Sequence, residues 1–268
     1  MSYRATLPGL AIAAVLLLAS SAYAQGRGQR GGPPPTAKAA AAFDPTGYWA
    51  AVITEDWHVR MLTAPKGDFG SGSNVEGLPF GGGGNIPYNE EGTKLGKAWD
   101  PDKDEREGNR CKAYGAPGIM RQPTRLHITW EDDNTLRIDT DAGMQTRLFH
   151  FTEQNTPAGT QPSLQGYSAA QWEIIAGRGP NWPRGGNLKV VTTNLRAGYY
   201  WKNGMPYSDR AKMTEHFRVA KETNGDVWLN FSLMMEDPAY LRQPWIVTYH
   251  FKKEPDGSKW NPQQCWIR

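Results

Sequence analysis

Leu188-Lys-Val-Val-Thr-Thr-Asn194 and Met213-Thr-Glu-His-Phe-Arg-Val219 are two runs of alternating character, separated by a loop rich in Gly, Tyr, Trp and Asn. Alternation with period two marks a half-buried strand. Leu188, Val190, Thr192 and Asn194 fall on one face of the first run; Met213, Glu215, Phe217 and Val219 share a face of the second. An amide and a carboxylate therefore sit in phase with apolar neighbours. Buried polar groups need partners, and buried charges need them more. This hairpin-like pair is where a pocket is expected.

Outward from it, the same signal recurs. Trp57, Val59 and Met61 alternate with His58 and Arg60; Leu126, Ile128 and Trp130 alternate with His127 and Thr129. Asp133-Asn134 reads as a turn into Leu136 and Ile138, and Asp141-Ala-Gly143 as a turn into Met144–Phe151. That last run has apolar groups on both faces, which predicts a strand covered on both sides, with Arg147 and His150 facing opposite ways. Ser168–Ile175 and Trp245–Phe251 read as strands, and Asn224-Gly225 as a hairpin turn. One helix is expected from Glu90, with Leu95, Ala98 and Trp99 as its apolar stripe and Pro101 as its stop. Asp102–Arg110 reads as a solvated charge run. The expected fold is all-β: an antiparallel barrel or sandwich, lipocalin-like, with long loops and one short helix.

The N-terminus carries Arg4, an apolar run from Leu7 to Leu18 too short to span a bilayer, and the small-x-small site Ala22-Tyr23-Ala24. This pattern predicts a signal peptide over 1–24 and a periplasmic or secreted protein. Residues 25–42, rich in Gly, Pro and Ala, read as a disordered linker, which leaves 43–268 as a single β-rich domain. No later stretch is apolar enough for membrane insertion after signal cleavage. The formal net charge of +3 sets up no strong field, so nucleic acid is not an expected partner. Cys111 and Cys265 are the only cysteines, and in an oxidising compartment an isolated pair most often forms a disulfide.

At Gly166-Tyr-Ser-Ala-Ala-Gln-Trp-Glu173, followed by Leu188-Lys-Val-Val-Thr-Thr, the chain resembles a large group of secreted bacterial proteins of unknown function. Further matching positions are Pro65-Lys-Gly-Asp68, Trp99-Asp-Pro101, Cys111-Lys-Ala-Tyr-Gly115, Met120-Arg121, Arg125-Leu-His-Ile-Thr-Trp130, Thr214-Glu215, Asp237-Pro238 and Trp260-Asn-Pro-x-x-Cys265. The chain departs from the group at Ala170, where glycine is usual, and in the insert from Ile174 to Gly186. Gly47-Tyr48-Trp49, entering the first strand, resembles the opening of lipocalin-like barrels, where the Trp plugs one end. The resemblance implies export and one β-rich domain, and no activity.

The chemistry is sparse. Gly166-Tyr-Ser-Ala-Ala nearly spells a nucleophile elbow but lacks the second glycine and the strand-turn-helix context. His58, His127, His150, His216 and His250 form no pair at ligand spacing, so neither a metal nor another cofactor is expected. Glu173 and Glu215 are the candidate carboxylates for acid/base work; the alternative is that each pairs with an inward arginine such as Arg147 or Arg121. Aromatic residues gather at strand ends and loops, among them Trp172, Tyr199, Tyr200, Trp201 and Tyr207, as in sites for small apolar or sugar-like ligands. The expectation is therefore a small, partly apolar ligand as partner, held by Arg147, Trp172, Glu173, Asn194, Glu215 and Tyr207. One alternative is a lyase or isomerase with Glu215 as general base and Arg147 stabilising negative charge. Another is a structural envelope protein, of which a filled core would be the sign.

Overall fold

The computed structural model of the protein describes residues 33–53, 66, 86–175 and 185–267. The signal segment, the Trp57–Met61 run, the glycines at 81–84 and most of the loop after Ile175 lie outside the described residues. The chain divides into two units at Pro34 and Pro35, and the fold is that of the unit beginning at Pro35.

Nine strands close into a barrel: β1 (Gly47–Ala51), β2 (Arg125–Asp132), β3 (Thr135–Thr140), β4 (Thr146–His150), β5 (Tyr167–Ile175), β6 (Gly185–Thr193), β9 (Lys212–Lys221), β10 (Val227–Glu236) and β11 (Trp245–Glu254). β1 pairs with both β2 and β11, which shuts the ring. β7 (Gly198–Trp201) and β8 (Met205–Tyr207) form a separate hairpin within the β6–β9 connection. Strands cannot alternate in direction all the way round a ring of odd number, so one neighbouring pair must run parallel. That pair is β4–β5, matched over only Phe149–Ser168 and His150–Ala169. The remaining pairs are antiparallel. β6 and β9, the two runs that open the sequence reading, are adjacent, with Val190 opposite Glu215 and Leu188 opposite Phe217.

Alternation sorts the side chains as β-geometry requires. Leu126, Ile128, Leu136, Ile138, Phe149, Val190, Phe217, Leu229, Phe231 and Phe251 are buried inside. Phe149, Phe217, Phe231 and Tyr249 form a chain of ring contacts across the interior, at centroid distances of 5.6, 5.0 and 6.2 Å. The barrel is filled by side chains. The outer face of β4 is open rather than covered, since Leu148 and Met144 are exposed; its run of apolar residues reflects composition and no second layer.

The two ends are closed differently. At one end Trp49 is fully buried and donates Nε1–H to the Pro45 carbonyl at 2.8 Å. Residues 35–43 cross this end as a strap. Trp172 donates its Nε1–H to the Ala37 carbonyl (2.8 Å), the Ala37 amide donates to Asn134 Oδ1 (2.9 Å), and Phe43 stands edge-on to Trp172 at 5.1 Å. Residues 35–42 therefore belong to the folded unit and not to a disordered linker. Their small side chains bury little by themselves, and it is backbone hydrogen bonding to the barrel that holds them.

The other end is plugged by β7–β8 and by short helices: α1 (Glu90–Ala98), α2 (Pro101–Arg106), a 3-10 turn (Lys112–Tyr114) and α3 (Ala116–Ile119). This is more helix than the one expected. Pro101 does not stop a helix but starts one, because its missing N–H is harmless at the first helical position. Asp100 caps α2 by accepting from the amides of Asp102 and Lys103. α1 buries Gly92 and Gly96 in place of the expected Leu95 stripe, and a side chain at Gly92 would strike Tyr88 and Tyr240. Tyr200 and Tyr207 are fully buried, and Tyr200 packs edge-on against Trp245 of the barrel at 5.3 Å.

Cys111 and Cys265 are joined, which ties the C-terminal tail to the plug across 154 residues of chain. A loop of that length is worth about 4–5 kcal/mol in the chain-entropy model. Replacing both cysteines by serine is expected to lower the unfolding free energy by about 2–5 kcal/mol, read from urea unfolding with midpoint and m-value both fitted, the m-value rising because the uncrosslinked denatured chain exposes more surface.

Candidate functional site

The residues expected to line one pocket are dispersed, and the reasons are geometrical. Arg147 of β4 and Glu215 of β9 do meet inside the barrel. Arg147 Nη1 donates to Glu215 Oε1 at 2.8 Å and Nη2 to Oε2 at 2.6 Å, and both side chains have no exposure. Thr192 accepts from Nη2 at 3.4 Å, and Ser168 lies 2.8 Å from Thr192. The guanidinium also lies over the Phe149 ring at 4.9 Å. None of the principal clefts among the described residues is lined by Arg147 or Glu215. The carboxylate therefore follows the structural alternative, an inward ion pair. A general base here would have both oxygens engaged and no route to substrate.

Trp172 points inward but at the strap end, where it stacks on Phe151 at 5.7 Å. Because Trp172 faces in, its neighbour Glu173 must face out. Glu173 lies on the barrel exterior, 3.6 Å from His216 Nε2 and 3.8 Å from Lys189 Nζ. Asn194 is not in phase with Thr192. β6 ends at Thr193, and Asn194 turns the chain with a left-handed φ of 54°. Its amide donates outward to the Thr160 carbonyl at 3.1 Å. Tyr207 is in the plug, far along the chain from Trp172 and at the opposite end of the barrel.

The plug end holds a cleft that contains one of the predicted ligand-binding residues, Tyr207. Its volume is about 350 Å3, and it runs between α1–α2 and β7–β8, with Trp99, Asp104, Lys112, Tyr199, Tyr207 and Tyr240 on its walls. Asp104 is its organiser. Asp104 Oδ2 accepts from Trp99 Nε1–H at 2.9 Å and from the Tyr199 hydroxyl at 2.7 Å, while Oδ1 accepts from Lys112 Nζ at 2.8 Å. Burial alone would raise the Asp104 pKa. The hydrogen bonds from Lys112, Tyr199 and Trp99 outweigh it and hold the group below the ordinary carboxylate range. Burial, and then the bond to this carboxylate, push the Tyr199 phenol well up, so it stays a neutral donor. Two aromatic walls are thus oriented by one ionised carboxylate. Tyr207 contributes its ring; its hydroxyl, kept protonated by burial, is tucked where a side chain on Gly115 or Gly198 would collide with it.

The sequence reading missed Trp99, Asp104, Lys112 and Tyr240 as site residues. Asp104 lay within a charge run assigned to solvent, yet only 4% of it is exposed. The Asp100-Pro101 start of α2 was a legible signal. It places Asp104 one turn into the helix, on the side that returns to Trp99. That this side faces β7 depends on a contact with Tyr199, 95 residues away.

Two tests follow from these groups. Glu215→Leu leaves a buried guanidinium without its counter-charge and should cost about 3–5 kcal/mol, whereas adding Arg147→Met to it should recover much of that; urea unfolding of the native chain, Arg147→Met, Glu215→Leu and the double variant measures the coupling. For Asp104 the folded pKa lies below the unfolded value of about 3.9. Its contribution is therefore present above pH 4 and lost as pH falls through the folded value. The stability gap between the native chain and Asp104→Asn should be widest near neutrality and close under acid, as followed by urea midpoints from pH 7 to pH 2.5. Compared with protein-family models, with curated proteins and with solved structures, the chain matches none of them, so its site is read from its own geometry.

Proposed function

We propose that this is an exported binding protein that takes a small, partly apolar ligand in the plug-end cleft. The observation that carries this reading is the Asp104 knot. Trp99 and Tyr199 are fixed by hydrogen bonds to one carboxylate, so a ligand meets walls that are already ordered and pays less conformational entropy on binding. The cleft volume of about 350 Å3 falls within the range of small-molecule sites. Aromatic faces beside a few fixed polar groups suit a planar or sugar-like body. The disulfide supports an oxidising compartment, periplasmic or extracellular, as does the signal-like N-terminus. No helix among the described residues is long and apolar enough to cross a membrane.

A second reading has one observation in its favour. The filled barrel interior is what a structural envelope protein needs and what a barrel-cavity carrier lacks. The two readings separate experimentally. Native mass spectrometry of the exported protein should show a small-molecule adduct that is absent from Trp99→Ala, with both chains melting within a few degrees of each other. If the native chain carries no adduct, and a panel of monosaccharides and aromatic acids gives no thermal shift, the structural reading stands.

A further inference from the structure

We propose that the strap end carries a second binding site, selective for an amphipathic anion. The site is the crevice between the strap and the barrel rim, with a volume of about 810 Å3. Its apolar surface comes from Phe43 of the strap and from Val219 and Val227, at the end of β9 and the start of β10. Phe43 is held edge-on by Trp172, so this surface is ordered. A side chain at Gly185 would meet nothing within 4 Å among the described residues.

The charge on the rim is one-sided. Arg218, Lys221 and Lys253 all line the crevice, and Asp44 is its one carboxylate. Burial opposes the ionisation of Asp44, but hydrogen bonds from Thr46 and the fields of Lys253 and Lys221 hold its pKa down, so it is ionised. Asp44 Oδ1 is already engaged by the Thr46 amide at 2.9 Å and hydroxyl at 2.7 Å. Arg218, Lys221 and Lys253 make no salt bridge among the described residues; Lys253 instead lies over the Trp49 ring at 5.1 Å. Elsewhere on the barrel exterior comparable cations are paired, as Lys252 is with Asp226 and Lys212 with Glu236. Three cations against one carboxylate around an apolar crevice attract a ligand that brings a negative head and an apolar body. An uncharged ligand would leave the cations as they are, and a free inorganic anion would leave the apolar wall wet.

A matched pair of probes isolates the charge: 8-anilinonaphthalene-1-sulfonate and N-phenyl-1-naphthylamine, which share a ring system and differ by the sulfonate. The sulfonate is expected to bind one per chain and at least about tenfold more tightly than its uncharged twin, with the advantage shrinking as salt rises. Arg218→Gln with Lys221→Gln, both exposed positions, should bring the two affinities to about parity without moving the melting temperature. Equal binding of the twins, an affinity ratio untouched by the double variant, or no binding of either probe would each overturn the inference. So would loss of sulfonate binding on Trp99→Ala, which would place the probe in the plug-end cleft. Because the two sites are at opposite ends, the first three outcomes leave the plug-end reading untouched.

Discussion

The ion pair between Arg147 and Glu215 spans the weakest joint of the barrel. β4 and β5 share only two matched residue pairs, because a ring of nine strands must somewhere place two in parallel. Arg147 leaves β4 and reaches across the interior to Glu215 on β9, touching Thr192 of β6 on the way. The guanidinium thus ties the strands before the joint to those after it. The cost of burying two charges is offset by bidentate geometry. Once the pair is in place, Phe149, Phe217 and Phe231 pack in the volume around it.

Both binding sites proposed above lie at the ends of the barrel, away from this pair. At the plug end, a carboxylate with three donors orders an aromatic cleft between the helices and the β7–β8 hairpin. The hairpin's exit is fixed by Asp237, which accepts from the Ser208 amide and hydroxyl at 2.8 and 2.6 Å, so the Asp-Pro break after β10 also positions Tyr207. At the strap end, a short Ala-rich segment crosses the rim beside Arg218, Lys221 and Lys253, which form no salt bridge among the described residues. The plug end is built from connections between strands and the strap end from the segment that precedes β1, both set against a rigid scaffold.

Much of the scaffold was legible along the chain. Leu126, Ile128, Leu136, Ile138, Leu188, Val190, Met213 and Phe217 alternate inward as their spacing demands, and Asn224-Gly225 turns β9 into β10 with Gly225 at a φ of 90°. The site was less legible. Period two holds only while the strand lasts, so Asn194, one residue past β6, escaped it. Alternation put Trp172 and Glu173 on opposite faces but could not say which of the two faces inward; contacts with Phe43 and Phe151 draw Trp172 in. For Asp104 the Asp100-Pro101 helix start was the one mark, and it did not tell burial, because a carboxylate within a charge run looks the same whether it is solvated or paired.

The sequence by itself determined the all-β class, the adjacency of the Leu188 and Met213 runs and the pairing of the two cysteines, since each rests on local spacing or on a choice of one. Tertiary structure alone decided that Glu215 finds Arg147, that residues 35–42 lie on the barrel and that Asp104 gathers Trp99, Lys112 and Tyr199. Apart from Trp99 and Lys112, which are 5 and 8 positions from Asp104, these contacts join residues tens of positions apart. Their energies depend on burial and on the direction of hydrogen bonds, and both arise only when the ring has closed.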